Sequence, residues 1–156
     1  MAKIVRIKSE LKSNKNKAFW HMAFALFFTI TFFGVGVGML FTILLNKSDL
    51  HLAFPGMFLG LSFILFALFV IAKHNYDILN AGVKGEQQTY EILKKLPKEF
   101  TVITNPVLHN RGSVNELDFV VIGRNGVFVV ESKNYRGIIS GNTSAQTWKQ
   151  IKHGKN

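Results

Sequence analysis

The sequence predicts a two-helix transmembrane hairpin followed by a small α/β domain. Three observations carry that fold class. Twelve of the fifteen phenylalanines fall between Phe19 and Phe69, so apolar weight is concentrated in one half of the chain. Two runs in that half, 18–45 and 50–72, contain no Asp, Glu, Lys or Arg, and each reaches the roughly 20 residues that a membrane-crossing helix needs. Beyond residue 81 one helical pattern is followed by short β-rich runs separated by Gly- and Asn-bearing turns, the pattern of a mixed domain.

Composition narrows the function classes. The chain has 156 residues and no cysteine, which excludes disulfides, thiolate metal sites and cysteine nucleophiles. Its formal net charge of +10 favours polyanionic partners: anionic lipid, nucleic acid or both. After Ala72 there remain 84 residues, enough for one small core.

Residues 1–17 form a basic arm with Lys3, Arg6, Lys8, Lys12, Lys15 and Lys17 against the single acid Glu10. The first span, 18–45, is too long for the ~7–15-residue apolar region of a signal peptide, and it ends Leu44-Leu45-Asn46-Lys47 rather than in small residues. The second span, 50–72, follows after the short connection Asn46-Lys47-Ser48-Asp49, which makes the pair antiparallel. The arm is strongly basic and the connection is not, so both termini are expected on the cytoplasmic side of the cell membrane. The pairs Gly34/Gly38 and Gly56/Gly60 have the GxxxG spacing of closely packed membrane helices, although glycine is also common in such helices for its own sake.

In the polar half, residues 73–81 are expected to continue the second span and fray. Gly82 and Gly85 punctuate, and a separate helix runs from about Glu86 to Leu96, stopped by Pro97. Tyr90, Leu93 and Leu96 share one face of it, and Glu86 falls on the same stripe. Residues 100–104 (FTVIT) read as a short strand and 107–115 as loop, with His109 lacking a partner at ligand spacing. Residues 116–135, ELDFVVIGRNGVFVVESKNY, read as two strands around Asn125-Gly126, the favoured dipeptide of a two-residue type I′ loop. That loop makes Arg124 face Val127, Ile122 face Val129, Val120 face Glu131 and Asp118 face Lys133. Both faces of the ribbon are apolar, which predicts a central strand pair covered by helices on each side. Residues 138–140 suggest another short strand, and the segment from Gln146 onward starts like an amphipathic helix.

Period-two alternation places Asp118, Glu131 and Lys133 on one face of the ribbon. Two carboxylates, with the Ser132 carbonyl between, are oxygen donors of the kind that hold Mg²⁺ together with a substrate phosphate. Lys133 beside them could orient or deprotonate an attacking water, or neutralise a pentavalent transition state, and Glu86 could assist. The competing reading is an ordinary ion pair between Asp118 and Lys133 at a sheet end.

At these residues the chain resembles the NERD (nuclease-related) domain family. The matching pieces are Gly82-x-x-Gly85-Glu86 before a helix, Glu116-Leu117-Asp118 leading an apolar strand, and Asn125-Gly126-Val127-Phe128-Val129-Val130-Glu131-x-Lys133-Asn134-Tyr135-x-Gly137, with Trp148 beyond. The family looks related to the restriction-endonuclease-like PD-(D/E)xK nucleases. The resemblance implies a mixed sheet and hydrolysis of DNA phosphodiester bonds with Mg²⁺ or Mn²⁺. It also implies Asp118 and Glu131 as metal ligands, with Lys133 and Glu86 as catalytic residues. Related nuclease cores continue past Trp148 with a further helix and strand, so the domain at 81–156 is expected to be incomplete. Two alternatives stand beside this reading. One is a non-catalytic membrane tether that binds nucleic acid through basic residues, Lys149, Lys152 and Lys155 among them. The other is a small membrane hairpin protein.

Overall fold

The structure, a computed structural model, describes residues 1–46, 51–135 and 137–152. The connection at 47–49, the turn residue Arg136 and Lys155 lie outside the described residues. The chain forms two compact units: residues 9–80, and residues 1–8 together with 81–156.

The first unit is a helix pair. Helix α1 (Glu10–Asn46) begins eight residues before the charge-free run, because Ser9 caps it. The Ser9 hydroxyl accepts from the Lys12 amide at 3.2 Å, and Glu10 lies in the first turn, where a carboxylate is favoured. Helix α2 (Ala53–Leu93) carries Pro55 in its first turn, where a missing N–H costs nothing. Phe19 meets Tyr76, Phe32 meets Phe58, and Gly36 meets Leu59. The step from Phe19 to residues 32–36 of α1 is matched by a fall from Tyr76 to residues 58–59 of α2, which defines an antiparallel hairpin. The tight approach is at Gly36, where an added Cβ would lie 2.9 Å from Leu59 Cγ. Gly34, Gly38, Gly56 and Gly60 would meet nothing within 4 Å, so the GxxxG spacing does not mark the packing seam. Both helices are long and apolar enough to cross a membrane, and their most apolar stretches are only 6% and 11% buried.

The second unit is built on a mixed four-stranded sheet in the order β1-β2-β5-β6. Its strands are β1 (Lys3–Arg6), β2 (Thr101–Thr104), β5 (Phe119–Gly123) and β6 (Gly126–Val130). β1 runs parallel to β2, and the other pairs are antiparallel. β1 was not foreseen: the basic arm supplies an edge strand. Lys3 and Ile7 donate backbone hydrogen bonds to the carbonyls of Phe100 and Thr104, and Ala2 is buried. Arg6 donates to the Tyr90 hydroxyl at 2.6 Å and lies over its ring, 5.1 Å from the centroid.

Helix α2 does not break at Gly82 and Gly85 but runs through both to Leu93. Gly85 is buried for a different reason: an added Cβ would lie 2.8 Å from Asn134 Cβ. The glycine lets the backbone of 132–134 approach the helix closely. Tyr90, Leu93 and Leu96 pack on the core of Ala2, Val102, Phe119 and Val121, as their spacing predicts.

Three expectations need correction. The 107–115 segment is not loop but a hairpin, β3 (Val107–Asn110) with β4 (Ser113–Glu116). Its turn, Arg111-Gly112, has φ of +42° and +92°, the two positive values that a type I′ loop demands. The segment after Gln146 is not a helix: β8 (Lys149–Ile151) pairs with β7 (Ile138–Ser140), and Trp148 packs over Gly141. Finally, the β5–β6 ribbon is covered on one face only. Phe119 and Val121 are buried, whereas Ile122, Val127 and Val129 on the other face are 40%, 64% and 60% exposed.

Candidate active site

The site begins with the turn that sets strand register. Gly123 pairs with Gly126, so the two-residue loop is Arg124-Asn125 rather than Asn125-Gly126. Glycine alone takes the left-handed backbone here, at Gly126 with φ +138°, and Asn125 is spared it. Gly123 is also confined, since an added Cβ would run into the Phe100 ring. The register is therefore two residues away from the predicted one: Ile122 faces Val127, Val120 faces Val129 and Phe119 faces Val130. One step beyond the ladder, the same register sets Asp118 opposite Glu131 rather than Lys133.

A two-residue slip preserves the face of every side chain, because the strand period is two. Asp118, Glu131 and Lys133 consequently stay together, while Ser132 and Asn134 point the other way, onto α2. Thr89 donates to Ser132 Oγ at 3.0 Å, and Asn134 Nδ2 donates to the Ala81 carbonyl at 2.7 Å. These two contacts fix the backbone that presents Glu131 and Lys133. Alternation alone could have found them, since Ser132 and Asn134 continue the core-facing phase of Phe128 and Val130.

Asp118 is held at both its backbone and its side chain. Asn105, buried and at φ +54°, donates its amide to the Asp118 carbonyl at 2.9 Å. The Asp118 carboxylate accepts from the Ser132 amide at 2.6 Å, bridging the ends of β5 and β6. The Glu131 carboxylate accepts from Lys133 Nζ at 2.5 Å. That hydrogen bond raises the Lys133 pKa above the ordinary lysine value; desolvation opposes it, and the charges of Glu131, Tyr135 and Asp118 add to the rise. The ammonium form is thereby favoured in this arrangement. The Asp118–Lys133 ion pair of the competing reading does not form; the partner of Lys133 is Glu131.

Glu86 sits half-buried on α2, next to Gly85. Among the described residues no three His, Asp or Glu side chains come close enough to hold a metal together, so Glu86 does not join Asp118 and Glu131 in one ligand set. His109 lies on the exposed β3–β4 hairpin, opposite Val114 and away from this group in the chain's register. The group consists of two carboxylates across the end of an antiparallel pair, one tied to an amide and one to an ammonium. Hard oxygen donors of that kind suit a divalent cation such as Mg²⁺.

Residues 81–156 match the nuclease-related domain family, NERD. This part of the chain is similar to that family. It takes in the Asp118, Glu131 and Lys133 group, the Gly85–Asn134 contact and every strand of the second unit except β1. An uncharacterized protein of Bacillus anthracis is 41% identical over 71 residues, which cover 44% of this chain and 34% of that protein. The chain thus aligns with about a third of that relative's length. No solved structure matches.

Proposed function

We propose that the chain is a membrane-anchored nuclease whose NERD domain hydrolyses DNA phosphodiester bonds with Mg²⁺ or Mn²⁺. The observation that carries this reading is the pairing of Asp118 with Glu131 at the open end of β5–β6, with Lys133 on the same face. Asp118 and Glu131 would hold the metal, which when bound would polarise the phosphodiester and acidify a water. Asp118 is pre-positioned for that role by the Ser132 amide, and the Glu131 carboxylate is held by Lys133 Nζ. Lys133 lies where it can exchange its contact with Glu131 for a phosphate oxygen or an attacking water, stabilising charge as it develops. Glu86 would assist from α2.

Anchoring is supported by the outward display of apolar side chains on α1 and α2. Phe41 is 62% and Phe63 75% exposed, which suits lipid and not water. Residues 1–8 and 81–156 pack as one unit, so an even number of crossings must separate them. With two crossings and the basic arm on the cytoplasmic side, that unit would face the cytoplasm, where DNA is available.

The test uses the full chain in lipid nanodiscs with linear DNA, with and without Mg²⁺. Cleavage should require the metal and fall by about 10²–10³ in Glu131→Gln and Lys133→Ala, the scale of losing one charge-stabilising group. Metal-independent cleavage, or cleavage unchanged in both variants, removes this mechanism. A second reading, a tether that binds DNA without cutting it, is favoured by the net charge of +10. It predicts salt-sensitive binding that survives both substitutions.

A further inference from the structure

The helix pair carries an open groove of about 450 Å³ lined by Asn14, Lys17, Ala18 and His21 of α1 and by Asn75, Ile78 and Leu79 of α2. We propose that this groove binds the headgroup of an anionic phospholipid. The proposal rests on the membrane-spanning reading of α1 and α2.

Its position supports that occupant. The groove residues bracket the two borders at which the charge-free runs begin and end, Lys17 just before residue 18 and Asn75 just after residue 72. In a spanning hairpin these borders lie at headgroup level, on the side of the termini. Aromatic residues mark the same level: Trp20 is 58% exposed, and Tyr76 packs against Phe19 with ring centroids 5.9 Å apart.

Its chemistry supports it as well. Among the described residues Asn14, Lys17, His21 and Asn75 make no side-chain hydrogen bond or ion pair. Lys73, on the same stretch of α2, is already neutralised by Asp77 at 2.7 Å, which leaves Lys17 as the groove's uncompensated cation. An ammonium, two amides and an imidazole around one opening offer donors for a phosphodiester and its glycerol hydroxyls. Ala18, Ile78 and Leu79 supply an apolar wall for the first methylenes of the acyl chains. Basic grooves between helices on the cytoplasmic side are where anionic headgroups settle, and the charge of the arm, six cations to one acid over residues 1–17, raises their local concentration.

The experiment has two stages. Full-length chain in native membranes is first washed with alkaline carbonate. Release into the supernatant overturns the spanning reading and this site with it. Retained protein is then extracted in mild detergent and examined by native mass spectrometry with added phosphatidylglycerol or phosphatidylcholine. The expected result is one phosphatidylglycerol retained per chain, at least fivefold over phosphatidylcholine. Lys17→Gln and Asn75→Leu should each abolish the preference, the second with no change in charge, while Lys12→Gln outside the groove leaves it within twofold. Equal retention of the two lipids overturns the site while leaving the anchor intact. A preference that falls equally with Lys12→Gln and Lys17→Gln shows diffuse attraction to the arm, and it too overturns the site.

Discussion

Replacing Val5 with proline should loosen the sheet without touching its core. Val5 lies mid-strand in β1 and is 39% exposed, so its side chain contributes little packing. Its amide matters more. Lys3 donates to the Phe100 carbonyl and Ile7 to the Thr104 carbonyl; by the same parallel register the Val5 amide addresses the carbonyl of Val102. Val102 is fully buried. Proline removes the donor and leaves that carbonyl without a partner or water. A buried group left in that state costs about 1–3 kcal/mol. Taking about 2 kcal/mol, the equilibrium between docked and undocked β1 shifts by about 30-fold, since about 1.4 kcal/mol is tenfold. The assay is hydrogen exchange with mass spectrometry on the full chain in nanodiscs, following the peptide that contains β2. Its amides should exchange about 30-fold faster in Val5→Pro than in Val5→Ala, which keeps the N–H. Equal exchange in the two variants would refute the parallel pairing and, with it, the assignment of the arm to the domain.

Three further outcomes are expected. Gly85→Val should push 132–134 off α2, because even one added carbon lies 2.8 Å from Asn134 Cβ; DNA cleavage should fall at least tenfold with the helix content seen by circular dichroism unchanged. Gly36→Leu should cost the helix pair about 1–3 kcal/mol of overpacking, read as a lower unfolding midpoint in detergent, whereas Gly34→Ala, which meets nothing, should be neutral. The Lys133 pKa is raised by its contact with Glu131, so whatever stability that contact contributes is fully present below the ordinary lysine value, about 10.4. It is lost as pH rises through the higher folded value. In Glu131→Gln the lysine should titrate closer to its ordinary value, measured on its ¹³Cε resonance. An unchanged titration would remove Glu131 as the cause.

What the sequence made legible follows from which signals are local. The two apolar runs and the Tyr90, Leu93 and Leu96 stripe are periodic patterns complete within one segment, and they survive intact. The face shared by Asp118, Glu131 and Lys133 survives because parity is insensitive to a slip of two. The register itself was not legible. Asn125-Gly126 is a sound local preference, but Phe100 over Gly123 and the pairing of β5 with β2 are long-range constraints, and they move the loop back by one residue. The type I′ turn formed instead at Arg111-Gly112, where polar flanks gave no strand pattern to notice. Gly85 looked like a helix breaker because close approach and chain flexibility use the same residue. β1 was hidden most completely, since it is four residues long without alternation, Lys3-Ile4-Val5-Arg6, and its lysine and arginine already had an explanation in topology.

Pairing β1 with β2 also sets a timetable for biosynthesis. Lys3 and its partner Thr101 are 98 positions apart. At about 5–20 residues per second, the first strand to leave the ribosome waits roughly 5–20 s for its neighbour to be made. On the membrane-anchored reading proposed above, both apolar helices emerge during that wait and enter the bilayer. A chain with only its first span inserted would strand β1 and β2 on opposite faces of the membrane, where no later rearrangement of the domain could join them. On that reading, closure of the sheet requires that the hairpin was threaded with both its ends on one side.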